Sequence, residues 1–153
     1  MEQIKALFTN YLLMSAVASW LLAQIMKVFT GMYKNRKFTV TEFLFSNGGM
    51  PSSHTAAVCA LATASIIKFG VSSFECAISC VFAIVVMMDA SGVRYETGEQ
   101  SKILNKITKE LFSGRPEEMN TALKEIVGHT PFQVLMGAIL GIVMGILFSL
   151  FML

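Results

Sequence analysis

The sequence predicts an all-α integral membrane protein. Its expected form is a helical bundle of about four transmembrane helices, with a re-entrant or interfacial segment and an amphipathic helix on the membrane surface, all in one membrane-embedded domain over residues 1–153. Three observations carry this. Of the 153 residues 54% are hydrophobic, only 14% are charged, and mean hydropathy is +0.63, whereas soluble domains carry about 25% charged residues. The apolar residues gather into runs near the roughly 17–25 needed to cross a bilayer. The cations gather between those runs rather than within them. A net charge of +2 points neither to a nucleic-acid reader nor to an acidic tail.

Four stretches can span. Leu7–Met26 is apolar up to Lys27, and it lacks the basic start and small-x-small cleavage site of a signal peptide, so it is expected to stay in the membrane. Val28–Met50 follows, with Lys34, Arg36 and Lys37, apolar Phe38–Phe45 and the turn Gly48-Gly49; a short re-entrant element fits this pattern if it packs on protein or lines a wet cavity. His54–Ile67 and Phe74–Met88 are short, and the link around Gly70 makes them a helical hairpin. In Ala90–Thr130, Ile103, Ile107 and Leu111 recur at i, i+4, i+8 among Lys102, Lys106, Lys109 and Glu110, the pattern of a helix lying on the membrane, and Ser113-Gly114-Arg115-Pro116 ends it. Pro131–Leu153 is the longest and cleanest span.

Ten of the twelve Lys and Arg residues lie in the two loops after the first and third spans, leaving Lys5 and Lys68 for the other side. The positive-inside rule makes those loops cytoplasmic in a multi-pass protein of the inner or plasma membrane. Gly137, Gly141 and Gly145 form a doubled G-x-x-x-G that gives the last span a flat face. Such a face packs closely, within the chain or between two copies, and a homodimer through it is the expected partner alongside membrane lipids. Cys59, Cys76 and Cys80 show no C-x-x-C spacing and read as small buried hydrophobes.

Both histidines begin predicted membrane helices on the same face. His54 follows Pro51-Ser52-Ser53, and His129 precedes Thr130-Pro131, where Thr130 as N-cap and Gln133 at the third position make a capping box. Helix N-termini attract anions. With Lys27 ending the first span and Arg94 just past the third, each of the four helices presents a cation or an N-terminus there. Phosphate suits such donors, and a histidine beside it can attack phosphorus or protonate a leaving oxygen near neutral pH. The plainer readings are interfacial histidines, a Lys27 that snorkels at its helix end, and an Asp89–Arg94 pair of structural use only.

Gly48-Gly49-Met50-Pro51-Ser52-Ser53-His54-Thr55-Ala56, then Asp89-Ala90-Ser91-Gly92-Val93-Arg94 with Gly98 and Asn105, then Gly128-His129-Thr130-Pro131, resemble in this order the divergent branch of the type 2 phosphatidic acid phosphatase (PAP2) family, over nearly the whole chain. The resemblance implies that His129 is the nucleophile that carries phosphate as a phosphohistidine and that His54 is the general acid. It makes Lys27, Ser52, Ser53 and Arg94 the phosphate-binding residues and Asp89, Glu99, Asn105 and Gln133 the supporting ones. No metal or cofactor is required by that chemistry. The chain departs from the wider superfamily at Gln133, where a carboxylate orients the distal histidine, at Leu123, where an arginine is usual, and after Lys27, where Lys34 replaces an arginine-proline pair.

The expected function is therefore a membrane phosphatase or phosphotransferase acting on a lipid phosphate such as phosphatidate or a polyprenyl phosphate. The alternatives are a lipid-phosphate binding or transport protein that kept the anion pocket without turnover, and a divalent metal held by Asp89, Glu96, Glu99 and the histidines. The last has no recognised ligand spacing in its favour.

Overall fold

A computed structural model describes residues 2–30, 49–111 and 128–152, and all six elements in it are helices. They are α1 (Glu2–Thr9), α2 (Tyr11–Phe29), α3 (Ser53–Phe69), α4 (Phe74–Ser91), α5 (Val93–Leu111) and α6 (Pro131–Met152). The segment expected to be re-entrant, with Lys34, Arg36 and Lys37, lies outside the described residues, apart from its two ends, as do Ser113–Pro116, Leu123 and Lys124.

Local chemistry sets the boundaries. The Asn10 side chain accepts from the backbone N–H groups of Leu12 and Leu13 to start α2, the Ser73 side chain caps α4 at the Cys76 N–H, and Gly70 turns the chain between α3 and α4 with φ +81°. The capping box appears as read: the Thr130 N–H donates to Gln133 Oε1 at 3.0 Å and the Gln133 N–H to Thr130 Oγ1 at 3.4 Å.

Among the described residues three runs are long and apolar enough to cross a membrane: α2, the α4–α5 run, and α6. The span expected at His54–Ile67 is α3, an apolar helix of 17 residues, about 25 Å long at 1.5 Å per residue and so shorter than a hydrocarbon core of about 30 Å. It spans only where the bilayer thins or partner helices shelter its ends.

Helix α3 is nevertheless the centre of the bundle, packing on α6, α2 and α4. Small residues permit this. Gly137 sits on the Ser52 carbonyl and Thr55, Gly141 on Ala56, Cys59 and Ala60, and Gly145 on Ala60 and Thr63, so two backbones meet with almost no side chain between them. This corrects the expected route to a dimer: the glycine stripe is taken up by α3 of the same chain, and a second copy would have to use another face. The buried stripe of α2 is likewise small or polar, with Ser15, Ser19, Ala23 and Lys27 recurring every four residues; Ser19 Oγ donates to the Ala56 carbonyl at 3.1 Å.

Helix α5 starts at Val93, sooner than its apolar periodicity suggested, because Gly92 breaks the α4 run and the chain resumes helix at once. Its Ile103, Leu104, Ile107 and Leu111 are exposed together, as expected of a helix that beds in a membrane surface. Among the described residues the cysteines are free; Cys59 and Cys76 are buried and Cys80 is half-buried.

Candidate functional site

Helices α2 and α4 end, and α3 and α6 begin, at one end of the bundle. There His54, Val85, Val86, Asp89, Ala90, Arg94 and His129 line a cavity of about 310 Å³. His54, on the first turn of α3, is exposed at its rim, whereas His129 is 4% exposed. His129 is placed by its neighbours: its backbone N–H donates to the Ala90 carbonyl at 3.3 Å, Gly128 lies against the backbone of Arg94 and Tyr95 with no room for a Cβ, and the capping box holds the next residues. The Ser52 N–H donates to the Gln133 carbonyl at 3.1 Å, tying the start of α3 to the start of α6. The two histidines are thus held by one hydrogen-bonded junction of helix ends.

Lys27, in the last turn of α2, is fully buried, and its Nζ donates at 3.2 Å to Oγ of Ser53, the residue before His54. That bond uses one of an ammonium's three donors. The ion pairs of the described residues are Arg94 Nε–Asp89 Oδ2 at 2.5 Å and Lys102–Glu99 at 2.7 Å, so no described carboxylate neutralises Lys27. A buried cation without a counter-ion is costly and is found where an anion completes it.

His129 feels this charge. Burial first, then the charges of Lys27, His54 and Arg94, push its pKa down to about 4, which leaves a neutral imidazole at pH 7. Its Nε2 is buried and has no hydrogen-bond partner among the described residues, a state that costs about 1–3 kcal/mol and that calls for a catalytic role or a bound partner.

Of the residues expected to bind phosphate, Arg94 lines the cavity, whereas Lys27, Ser52 and Ser53 are buried and are not among its lining residues. Ser52 Oγ accepts from Thr55 Oγ1 at 2.9 Å and caps α3, and Ser53 Oγ accepts from Lys27, so both hydroxyls are engaged in setting the helix start. Asp89 lines the cavity and holds Arg94. Glu99 is paired with Lys102 and borders a separate pocket of about 180 Å³ with Tyr95, Gly98, Gly128, Thr130 and Gln133. Neither it nor Asn105 borders the histidine cavity. The Gln133 amide is engaged as a cap. Among the described residues no cluster of His, Cys, Asp and Glu could hold a metal ion. Sequence reading missed Val85 and Val86 on the cavity wall, although Val85 precedes Asp89 by four residues on the same helix face. It also missed Ala90, which contributes only its carbonyl to His129 and so leaves no side-chain signal.

The chain is 36% identical over 155 aligned positions to the uncharacterized membrane protein YuiD of Bacillus subtilis (strain 168), an alignment covering 95% of this chain and 98% of that protein. No solved structure matches it. The profile of the divergent PAP2 family matches residues 8–144, and the chain, a membrane protein with both histidine motifs at one end of its bundle, belongs to that family.

Proposed function

We propose that the protein is a membrane phosphatase or phosphotransferase acting on a lipid phosphate, with its site on the cytoplasmic side of the inner or plasma membrane. The observation that carries this is the cavity at the helix ends, lined by His54, His129 and Arg94, close to the buried Lys27, for which no described carboxylate is a counter-ion. Arg94 and the field of Lys27 attract the phosphate monoester. The neutral His129 attacks phosphorus through Nε2 as the phosphorus–oxygen ester bond breaks, and His54, at the accessible rim, gives its proton to the departing lipid alkoxide. Water then attacks the phosphohistidine, His54 takes the water proton, and inorganic phosphate leaves with His129 restored. Transfer to another hydroxyl in place of water gives the phosphotransferase outcome.

The test is phosphate release from phosphatidate and from a polyprenyl phosphate by purified protein, with His129→Ala and His54→Ala alongside. Release that falls to background in His129→Ala supports the reading, and equal rates for all three proteins refute it. One observation favours a second reading: Gln133, where the wider superfamily places a carboxylate behind the distal histidine, is committed to the helix cap. A protein that binds or moves lipid phosphates without hydrolysing them would show saturable binding that survives His129→Gln and no phosphate release from the native chain.

A further inference from the structure

The histidine cavity holds a carboxylate that anion binding does not call for. Asp89 lines it beside Arg94 and repels a phosphate monoester, which carries about −1.5 to −2 charges at pH 7. Stability does not account for it either. Both members of the pair are close to half exposed, and so exposed a pair contributes about 1 kcal/mol or less. Holding Arg94 in place uses only one carboxylate oxygen: Arg94 donates through Nε to Asp89 Oδ2, and among the described residues neither the terminal amino groups of Arg94 nor Asp89 Oδ1 makes a further bond. The terminal N–H groups stay open for a phosphate. Asp89 Oδ1 is left as an acceptor without a donor, since Val85, Val86 and Ala90 on the cavity wall offer no polar side chain and neither His54 nor His129 is hydrogen-bonded to it. In an open cavity water satisfies such an oxygen. A seated head group displaces water and sets a second anion beside it, and the oxygen then needs a donor from the ligand itself.

We infer that Asp89 is a specificity-determining residue: the lipid whose phosphate Arg94 holds carries a hydrogen-bond donor, a hydroxyl or an ammonium group, a few bonds from phosphorus, and Asp89 Oδ1 accepts from it. The inference rests on the lipid-phosphate reading and narrows its substrate class. The donor belongs close to phosphorus because Asp89 and Arg94 are bonded to each other, which makes the two recognition points neighbours. Arg94 takes the anion and Asp89 the donor, so the pair recognises a bipolar head group. A phosphate on a bare hydrocarbon alcohol leaves Asp89 unpaired beside a like charge and is disfavoured by it.

Three matched lipids test this: hexadecyl phosphate, 2-hydroxyhexadecyl phosphate and 2-aminohexadecyl phosphate, which differ only in the donor. Binding is measured in nonionic detergent with the corresponding phosphonates, in which a CH2 group replaces the ester oxygen so that the head cannot be cleaved. The native protein should bind the hydroxyl lipid severalfold and the amino lipid about tenfold more tightly than the plain one. In Asp89→Ala both ratios should fall to one or below. The ratio is the reading because freeing Arg94 changes all three affinities alike, so a merely structural role of Asp89 leaves it unmoved. Ratios of one in the native protein, or a preference that persists in Asp89→Ala, overturn the assignment and leave Asp89 as a holder of Arg94 alone. Phosphate release is followed on the three phosphates. Release with flat binding ratios removes the donor site and leaves the phosphatase, donor-dependent binding without release keeps the donor site and removes the phosphatase, and binding of none of the three removes both.

Discussion

Replacing Gly141 by alanine tests the contact on which the whole site is mounted. A Cβ built there runs into the Ala56 carbonyl oxygen and comes within 2.8 Å of Cys59 Cβ and 3.0 Å of the Ala60 nitrogen. Two of these are backbone atoms of a central helix and cannot swing aside. Since carbon contacts settle at about 3.5–4.0 Å, α6 must retreat from α3 by about 0.5–1 Å. Overpacking of this kind costs about 1–3 kcal/mol, offset by about 0.5–1 kcal/mol that alanine gains over glycine within a helix. The net loss is about 1–2 kcal/mol, which at about 2–4 °C per kcal/mol lowers the melting temperature by several degrees.

Thermal unfolding in detergent measures that loss, and orthovanadate binding measures its reach, because the retreat also separates His54 on α3 from His129 ahead of α6. Gly70→Ala is the control. Gly70 has φ +81° with nothing within 4 Å of an added Cβ, and it lies at the far end of α3, so it costs stability through backbone strain alone. Both variants should melt earlier, but only Gly141→Ala should weaken vanadate binding. If Gly141→Ala instead splits a dimer into monomers while melting temperature and vanadate affinity stay put, the stripe is an interface between copies and its intrachain assignment is wrong.

Asp89→Asn should tighten orthovanadate binding severalfold while changing stability by less than about 1 kcal/mol, because the half-exposed pair contributes little and its loss frees Arg94 for the anion; weaker binding would show that Asp89 itself serves the ligand. Gln133→Glu should melt with the native protein, since a carboxylate keeps the bond to the Thr130 N–H at a helix start, whereas Gln133→Ala should lose about 1 kcal/mol in the same unfolding assay. Stability should also fall with pH in a window set by His129. Its folded pKa of about 4 lies below the ordinary 6.5, so the unfolded chain takes up the proton first and stability drops between about pH 6.5 and 4, by at most about 1.4 kcal/mol per unit. His129→Gln should flatten that slope in urea or thermal titrations, and a slope of equal size in the variant would assign it to another group.

What the sequence revealed, and what it hid, follows from the range of each interaction. Thr130 and Gln133 were legible as a cap because both partners lie within one helical turn. The starts of α3 and α6, and so the shared end of the two histidines, follow from such local rules together with the alternation of spans. The glycines of α6 announced a close contact but not its partner. A flat face matches any other flat face, and the complement of Ala56, Cys59, Ala60 and Thr63 on α3 becomes visible only once the helices are paired. Lys27 was read at the mouth of the site, although its place four residues after Ala23 and eight after Ser19 already put it on the small-residue stripe that α2 buries. Glu99 looked available to support a histidine until α5 was seen to start at Val93, which turns it toward Lys102.

The loss of the carboxylate behind His129 takes on a different meaning in this setting. A carboxylate neighbour fixes the imidazole's tautomer and stabilises its cation, which favours catalysis only if the ring is otherwise poised near neutrality. Here burial and three nearby cationic or protonatable groups push the ring the other way, to about 4. A bound phosphate dianion draws that value upward, and the low starting point lets the ring remain the free base when the anion is seated. On the proposed mechanism, desolvation and positive charge keep His129 unprotonated as the nucleophile, and the same charge attracts the phosphate. Ring orientation is left to the backbone, through the Ala90 carbonyl and the close approach of Gly128 to Arg94 and Tyr95. In such a design Gly128→Ala should damage turnover more than Gln133→Ala does, because it moves the segment that aims the ring. A Gln133→Ala protein less active than Gly128→Ala, at matched stability, would return the orienting role to position 133.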